Sequence, residues 1–181
     1  MKQLAWGEGS VDYQYNKMGR SGFGGYTSLV NGVKMVELAD DNNPNAFQAL
    51  NKFVKAFTVF YISMEMGDVP YSDALQGETG NITPKYDSQK DVMLQILDDL
   101  EEAYTLFGQA KKFDGDPVFG GDVNKWQKTV ASFELKVLMN LSRVADDADL
   151  KVKERFATIV SNKKLMESND DNYQLVFSEK K

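Results

Sequence analysis

Cysteine and histidine are both missing from the 181-residue chain. Their absence excludes disulfides, thiol nucleophiles, haem ligation through histidine and the usual zinc sites. A Ser-His-Asp triad is excluded as well. Any general acid or base would have to be Asp, Glu, Lys or Tyr, and the residues imply no cofactor. Positive charge is in deficit: 21 Lys and Arg face 27 Asp and Glu, for a net charge of −6. Nucleic-acid binding needs clustered Lys and Arg and is disfavoured, as is an electrostatic hold on anionic lipid. Neutral ligands such as sugars stay open. Long apolar runs are lacking too. "AFTVFYI", Ala56 to Ile62, is too short to cross a bilayer. The opening "MKQLAWGEGSVDYQY" has no apolar signal-peptide core.

Hydrophobic residues at 42% and charged residues at 27% give the balance of one globular domain with a real core. Residues 1–25 are rich in Gly and aromatics and read mainly as loop, with a short helical piece. Helical repeats are expected over residues 26–165. Apolar spacings of three and four predict a helix from Tyr26 to Ala39 on Leu29, Val30, Val33 and Val36. After "DDNNPN", Asn43 reads as the cap of a helix with Pro44 at its first position. Its stripe is Phe47, Leu50, Val54, Phe57, Tyr61 and Met64, widened by Phe53 and Phe60. In "GDVPYSDAL", Gly67 suits a C-terminal cap and Pro70 stops the helix from resuming.

Ser88 and Asp91 have capping-box spacing ahead of Val92, Ile96, Leu100, Ala103 and Phe107. Asp98, Asp99, Glu101 and Glu102 read as a solvated outer face rather than as catalytic carboxylates, because nothing apolar surrounds them. Asp114, Asp116 and Asp122 raise the question of calcium, but the EF-hand spacing fails, and turn-and-cap roles fit better. Asp122 is a good N-cap for a helix carrying Trp126, Val130, Phe133, Val137, Leu141 and Val144. A last helix from Asp149 or Leu150 uses Val152, Phe156, Ile159 and Val160, and "YQLVF" follows as an extended piece. "GFGG" at Gly22–Gly25 lacks the Lys-Ser/Thr of a phosphate loop. The periodicity supports an all-α fold of helical pairs joined by irregular loops.

Three stretches in order, "GDVPYSDALQG", "PKYDSQKDVMLQILDDLEEAYTLF" and "GDPVFGGDVNKWQKTVASFELKVLMNLSRV", resemble the SusD/RagB-like family of surface nutrient-binding lipoproteins. The resemblance is strong from about Leu29 to Val144. It implies tetratricopeptide-like helical pairs and a binding protein rather than an enzyme. It also implies an outer-membrane partner, a SusC-like TonB-dependent transporter, and an oligosaccharide or other nutrient as ligand. In that family Gly67, Asp68, Pro70, Tyr71 and Trp126 fall in the structural motif. Tyr71 would anchor a packed corner, with Asp68 or Ser72 bonding backbone. Members are longer and carry a lipid anchor on a Cys. This chain is accordingly expected to be one partial domain over 1–181, a fragment or separately encoded piece, with Phe53 and Phe60 left partly exposed. Glu134 and Asn140 stand among the basic positions of the Trp126 helix, which questions charge-based contacts there. Trp6, Tyr13 and Tyr15 are the candidate sugar-stacking residues. The alternatives are a protein-interaction scaffold with no ligand of its own and a two-carboxylate glycosidase.

Overall fold

The computed structural model describes residues 22–39 and 43–176. They form α1 Gly24–Glu37, α2 Pro44–Met66, α3 Gln89–Gln109, α4 Val123–Asn140 and α5 Val152–Asn162, with three short 3₁₀ turns. Among the described residues there is no strand, and one bridge pairs Val69 with Asp87. Successive helices lie antiparallel. The start of α1 at Gly25 faces Thr58 and Ile62 near the end of α2. Gln89, opening α3, donates to the Ser63 carbonyl near the end of α2 at 2.9 Å. Gln127, early in α4, donates to the Tyr104 carbonyl late in α3 at 3.1 Å. This is the tetratricopeptide-like pairing.

The caps follow the sequence closely at α3 and α4. Ser88 accepts from the Asp91 amide as an N-cap, and its hydroxyl donates to the Asp91 carboxylate at 2.6 Å. Asp122 accepts from Asn124 and Lys125. Asn43 behaves differently. It stands at the N-cap position of α2 but makes no side-chain cap bond. Instead its amide donates to the Lys111 carbonyl at 2.8 Å and accepts from the Lys111 amide at 3.0 Å. Tying α2 to the chain just beyond α3 outcompetes a local cap.

The core face of α2 is rotated from the stripe read in the sequence. Ala46, Ala49, Phe53, Ala56, Val59 and Phe60 are buried, whereas Tyr61 and Met64 are exposed. The three alanines leave room for helix neighbours on both sides, and the two phenylalanines fill the space between them. Phe53 and Phe60 are therefore core residues, contrary to the expectation of partial exposure. Trp126 is buried and stacks on Phe107 at 5.7 Å with 9° between planes. It meets Phe53 edge-on at 5.6 Å. Its indole N–H donates to Asp116 at 2.8 Å.

Asp116 also accepts from the backbone of Val118, Phe119 and Gly121. Burial pushes its carboxyl up, but these four bonds outweigh that and hold it below the usual carboxylate range. The loop aspartates thus serve a turn and a cap. Gly121 sits at φ 80°, and a Cβ there would fall 1.8 Å from the Phe113 carbonyl oxygen. No other residue fits that turn.

The acidic face of α3 is not simply solvated. Asp98 pairs with Arg155 at 2.8 Å, and Glu102 with Lys52 at 2.9 Å. Glu101 pairs with Lys163. Asp99 is largely enclosed and accepts from Lys52 at 2.8 Å and from the Tyr71 hydroxyl at 2.6 Å. Glu134 is buried and receives the largely enclosed side chain of Lys163 at 2.8 Å. Burial pushes the Glu134 carboxyl up even against that partner.

At the C-terminal end α5 begins at Val152, after Lys151 at φ 47°. Val152 and Ile159 are buried, but Phe156, Val160 and Val144 are exposed. The amphipathic stripe there is narrower than its apolar residues suggested, because α5 packs mainly on one helix. Residues 163–176 run irregularly and are fastened from outside. Lys128 holds Glu167 and Asp171, Lys125 donates to the Asp170 carbonyl, and Lys164 donates to Asn124. Tyr173 alone inserts a ring, edge-on to Trp126 and Phe53.

Two stability predictions follow from the core. Phe53→Ala will cost about 4 kcal/mol, measured by urea unfolding; a loss under 1 kcal/mol would contradict its central place. Asp116→Ala will cost about 3 kcal/mol by leaving the indole N–H without its acceptor. Because the folded Asp116 pKa is depressed, its stabilisation is complete above the unfolded carboxylate pKa and lost as pH falls through the folded one. The penalty of Asp116→Ala will accordingly shrink toward pH 3.

Candidate functional site

The chain leaves α2 at Gly67, whose φ of 83° is open to glycine at little cost. Asp68 accepts from the Gln89 amide at 2.8 Å, satisfying a free donor at the start of α3. Pro70 then turns the chain, and its carbonyl accepts from the Tyr26 hydroxyl of α1. Tyr71 is buried, its hydroxyl on Asp99 and its ring 4.0 Å from the Lys55 ammonium. Burial, then the Asp99 charge, drives the Tyr71 phenol well above its ordinary pKa. Burial pushes the Lys55 ammonium down. The organiser of this corner is a residue the sequence did not flag. Asp87 is buried and accepts from the Tyr71 amide at 2.9 Å, the Ser72 amide at 2.7 Å and the Ser72 hydroxyl at 2.8 Å. Burial raises its carboxyl, but the Ser72 and Tyr71 bonds prevail and lower it overall. The signal was available only as an Asp directly before the capping Ser88.

The corner forms one wall of an open groove of about 690 Å³, in the size range of small-molecule sites. Pro70, Ala74 and Leu75 come from the corner, and Phe23, Tyr26, Thr27 and Val30 from the first turns of α1. Thr83, Pro84 and Tyr86 close the far side. Phe23 and Tyr86 meet edge to face, 6.0 Å apart at 85°. Tyr26 is half-buried, and burial, helped by Tyr86 and Asp87, pushes its phenol up to about 12. Leu75 is held at φ 66°, a conformation that costs a bulky side chain about 1–3 kcal/mol. Among the described residues, none that lines the groove carries a charge. These residues offer apolar and aromatic contact with hydroxyls at the edge.

Of the residues singled out in the sequence, Gly67, Asp68, Pro70 and Tyr71 come together at the corner, and only Pro70 lines the groove. Trp126 belongs to the core between α2, α3 and α4. Trp6, Tyr13 and Tyr15 lie outside the described residues. Among the described residues, no group of three or more acidic side chains is placed to hold a metal ion. No described helix is long and apolar enough to cross a membrane.

Comparison with known proteins gives a consistent picture. A SusD-like family model, described as starch-binding and associating with the outer membrane, matches residues 5–181. The chain is similar to a SusD homolog from Bacteroides fragilis, with 62% identity and a TM-score of 0.87 over 96% of this chain and 37% of that one. It is also similar, at 34% identity and a TM-score of 0.78, to a Bacteroides vulgatus protein assigned by inference to the outer membrane and nutrient binding. That match covers 97% of this chain and 36% of the other. A chitin-binding protein matches at 30% identity and a TM-score of 0.62, over 82% of this chain and 32% of its own length. No curated protein matches the sequence. The chain thus spans between 32% and 37% of the length of these solved relatives. On the match from residue 5 to residue 181, and on a fold shared with relatives up to 62% identical, the chain belongs to the SusD-like family.

Proposed function

We propose that this chain is the helical part of an outer-membrane nutrient-capture protein, taking an oligosaccharide and working with a SusC-like TonB-dependent transporter without catalysing a reaction. The observation that carries the reading is the family match joined to an uncharged, aromatic groove on the described surface. Similarity to a chitin-binding protein supports a glycan as the ligand class. The carboxylates of α3 support binding over hydrolysis, since each of Asp98, Asp99, Glu101 and Glu102 is engaged by a basic side chain. In this proposal Trp6, Tyr13 and Tyr15 add stacking surface to the site. Membrane attachment would come through a lipid anchor outside this sequence.

A scaffold reading draws on a different surface. Met64 and Val144 are exposed at 43% and 48% and line a second cleft with Arg143. That face would suit a protein partner and needs no sugar.

The two Trp residues separate these readings. Trp126 is enclosed in the core, so a sugar-dependent change in Trp fluorescence reports on Trp6. Titration with a panel of neutral oligosaccharides is expected to give a saturable change that Trp6→Phe removes. No response across the panel would favour the scaffold. Co-purification with a SusC-like transporter from outer membranes tests the partner.

A further inference from the structure

Lys52 and Lys55 stand one turn apart on α2 and line the same small pocket of about 220 Å³. Gln48 and Asn51 of α2, Val36 of α1 and Asp99 of α3 complete it. The two lysines have different surroundings. Lys52 bonds Asp99 at 2.8 Å and Glu102 at 2.9 Å. The Tyr71 hydroxyl takes the other oxygen of Asp99 at 2.6 Å. Asp87 is engaged by Tyr71 and Ser72. Lys55 is left with no hydrogen bond or ion pair to any described residue, and its Nζ rests 4.0 Å from the centre of the Tyr71 ring.

An ammonium enclosed without an acceptor loses hydration that the protein does not replace. Burial pushes Lys55 down, and the neighbouring Lys52 charge adds to this. Asp99 and Asp87 act in the opposite direction without cancelling it, and Val36 brings no charge from α1. On Lys52 the balance is reversed: burial lowers it, but its bonds to Asp99 and Glu102 raise it overall. A desolvated amine beside a fixed cation is an arrangement that makes a lysine nucleophilic. The pocket that opens onto it is smaller than ordinary ligand sites, and its Lys52 and Asp99 neutralise each other. It therefore suits a short, uncharged electrophile.

We propose that Lys55 is a covalent site for short neutral aldehydes, which enter this pocket and form an imine on its Nζ. The amine lone pair attacks the carbonyl carbon, and the carbonyl oxygen takes one amine hydrogen as the carbinolamine forms. That oxygen then leaves as water with the second hydrogen, and an N=C bond replaces the C=O bond. The step needs no oxidant or reductant. Lys52, Asn51 and Gln48 line the same pocket with N–H donors for the carbonyl oxygen. The site is separate from the groove beside α1, so its failure leaves the capture reading untouched.

Glycolaldehyde is the probe, with cyanoborohydride to fix the imine as a stable secondary amine, read lysine by lysine by peptide mass spectrometry. Near pH 7, Lys55 is expected to be labelled at least about fivefold faster than the median of the other lysines. The α-amino group of Met1 is scored apart, because such groups titrate close to that pH. Urea is expected to abolish the preference. Lys52→Met frees Asp99 to hold a Lys55 ammonium and will slow Lys55 labelling about tenfold near pH 7, with unchanged far-UV circular dichroism. Lys52→Arg keeps the charge and the carboxylate bonds and will preserve the rate. Above the ordinary lysine pKa, the wild-type and Lys52→Met rates will converge. Labelling of Lys55 no faster than the median overturns the proposal. So does a preference that persists in urea, which would belong to the local sequence and not to the pocket. A folded Lys52→Met variant that labels at the wild-type rate overturns it as well.

Discussion

The carboxylate of Asp87 is the constraint on which the arrangement of α1, α2 and α3 around the groove depends. It gathers three donors from Tyr71 and Ser72 while lying one residue before the cap of α3. A long connection between two helices is thereby pulled against the protein at one point. Backbone N–H groups that would otherwise be buried without partners are satisfied there. Once Tyr71 is fixed, its hydroxyl reaches Asp99 on α3 and its ring receives Lys55 from α2. Pro70 is then in place to accept from Tyr26 on α1. One acidic side chain orders contacts to three helices, and the groove wall is the outer surface of that order.

The aromatic core plays the complementary part. Trp126 links α4 to Phe107 of α3 and Phe53 of α2, and Asp116 locks its indole to the preceding loop. Apolar burial provides the driving force and is indifferent to orientation. The N–H bond and the parallel stack set the angle of the ring. Around this centre, polar groups are satisfied rather than left over: no buried side-chain nitrogen or oxygen among the described residues lacks a hydrogen-bond partner.

Helices were legible in the sequence because period, caps and breakers agreed at α3 and α4, where Ser88, Asp91 and Asp122 act as local rules require. Register was less legible. In α2 nearly every face is apolar, so periodicity could not tell Phe53 from Tyr61; neighbouring helices decided it. Asn43 looked like a cap but found a better partner 68 residues away. Asp99 looked solvated because its partners, Lys52 and Tyr71, are distant in sequence. The groove was not legible at all. Its two exposed rings, Phe23 and Tyr86, are 63 positions apart and neither belongs to a periodic stripe. The corner motif marked the fold, and its outer surface turned out to border the cavity.

The fastening of residues 163–176 sets a boundary within the molecule. That segment is held by lysine bonds to α4, by the Lys163–Glu134 pair, by amide bonds to the Tyr104 and Ser132 hydroxyls, by Leu165 against the core and by the ring of Tyr173. The four-helix stack beneath it keeps its own core of Phe53, Phe107 and Trp126. A segment tied down at a few points in this way is expected to open at a lower free energy than the stack beneath it. Ions that screen the lysines loosen the end of the chain first, while the helices and the corner persist.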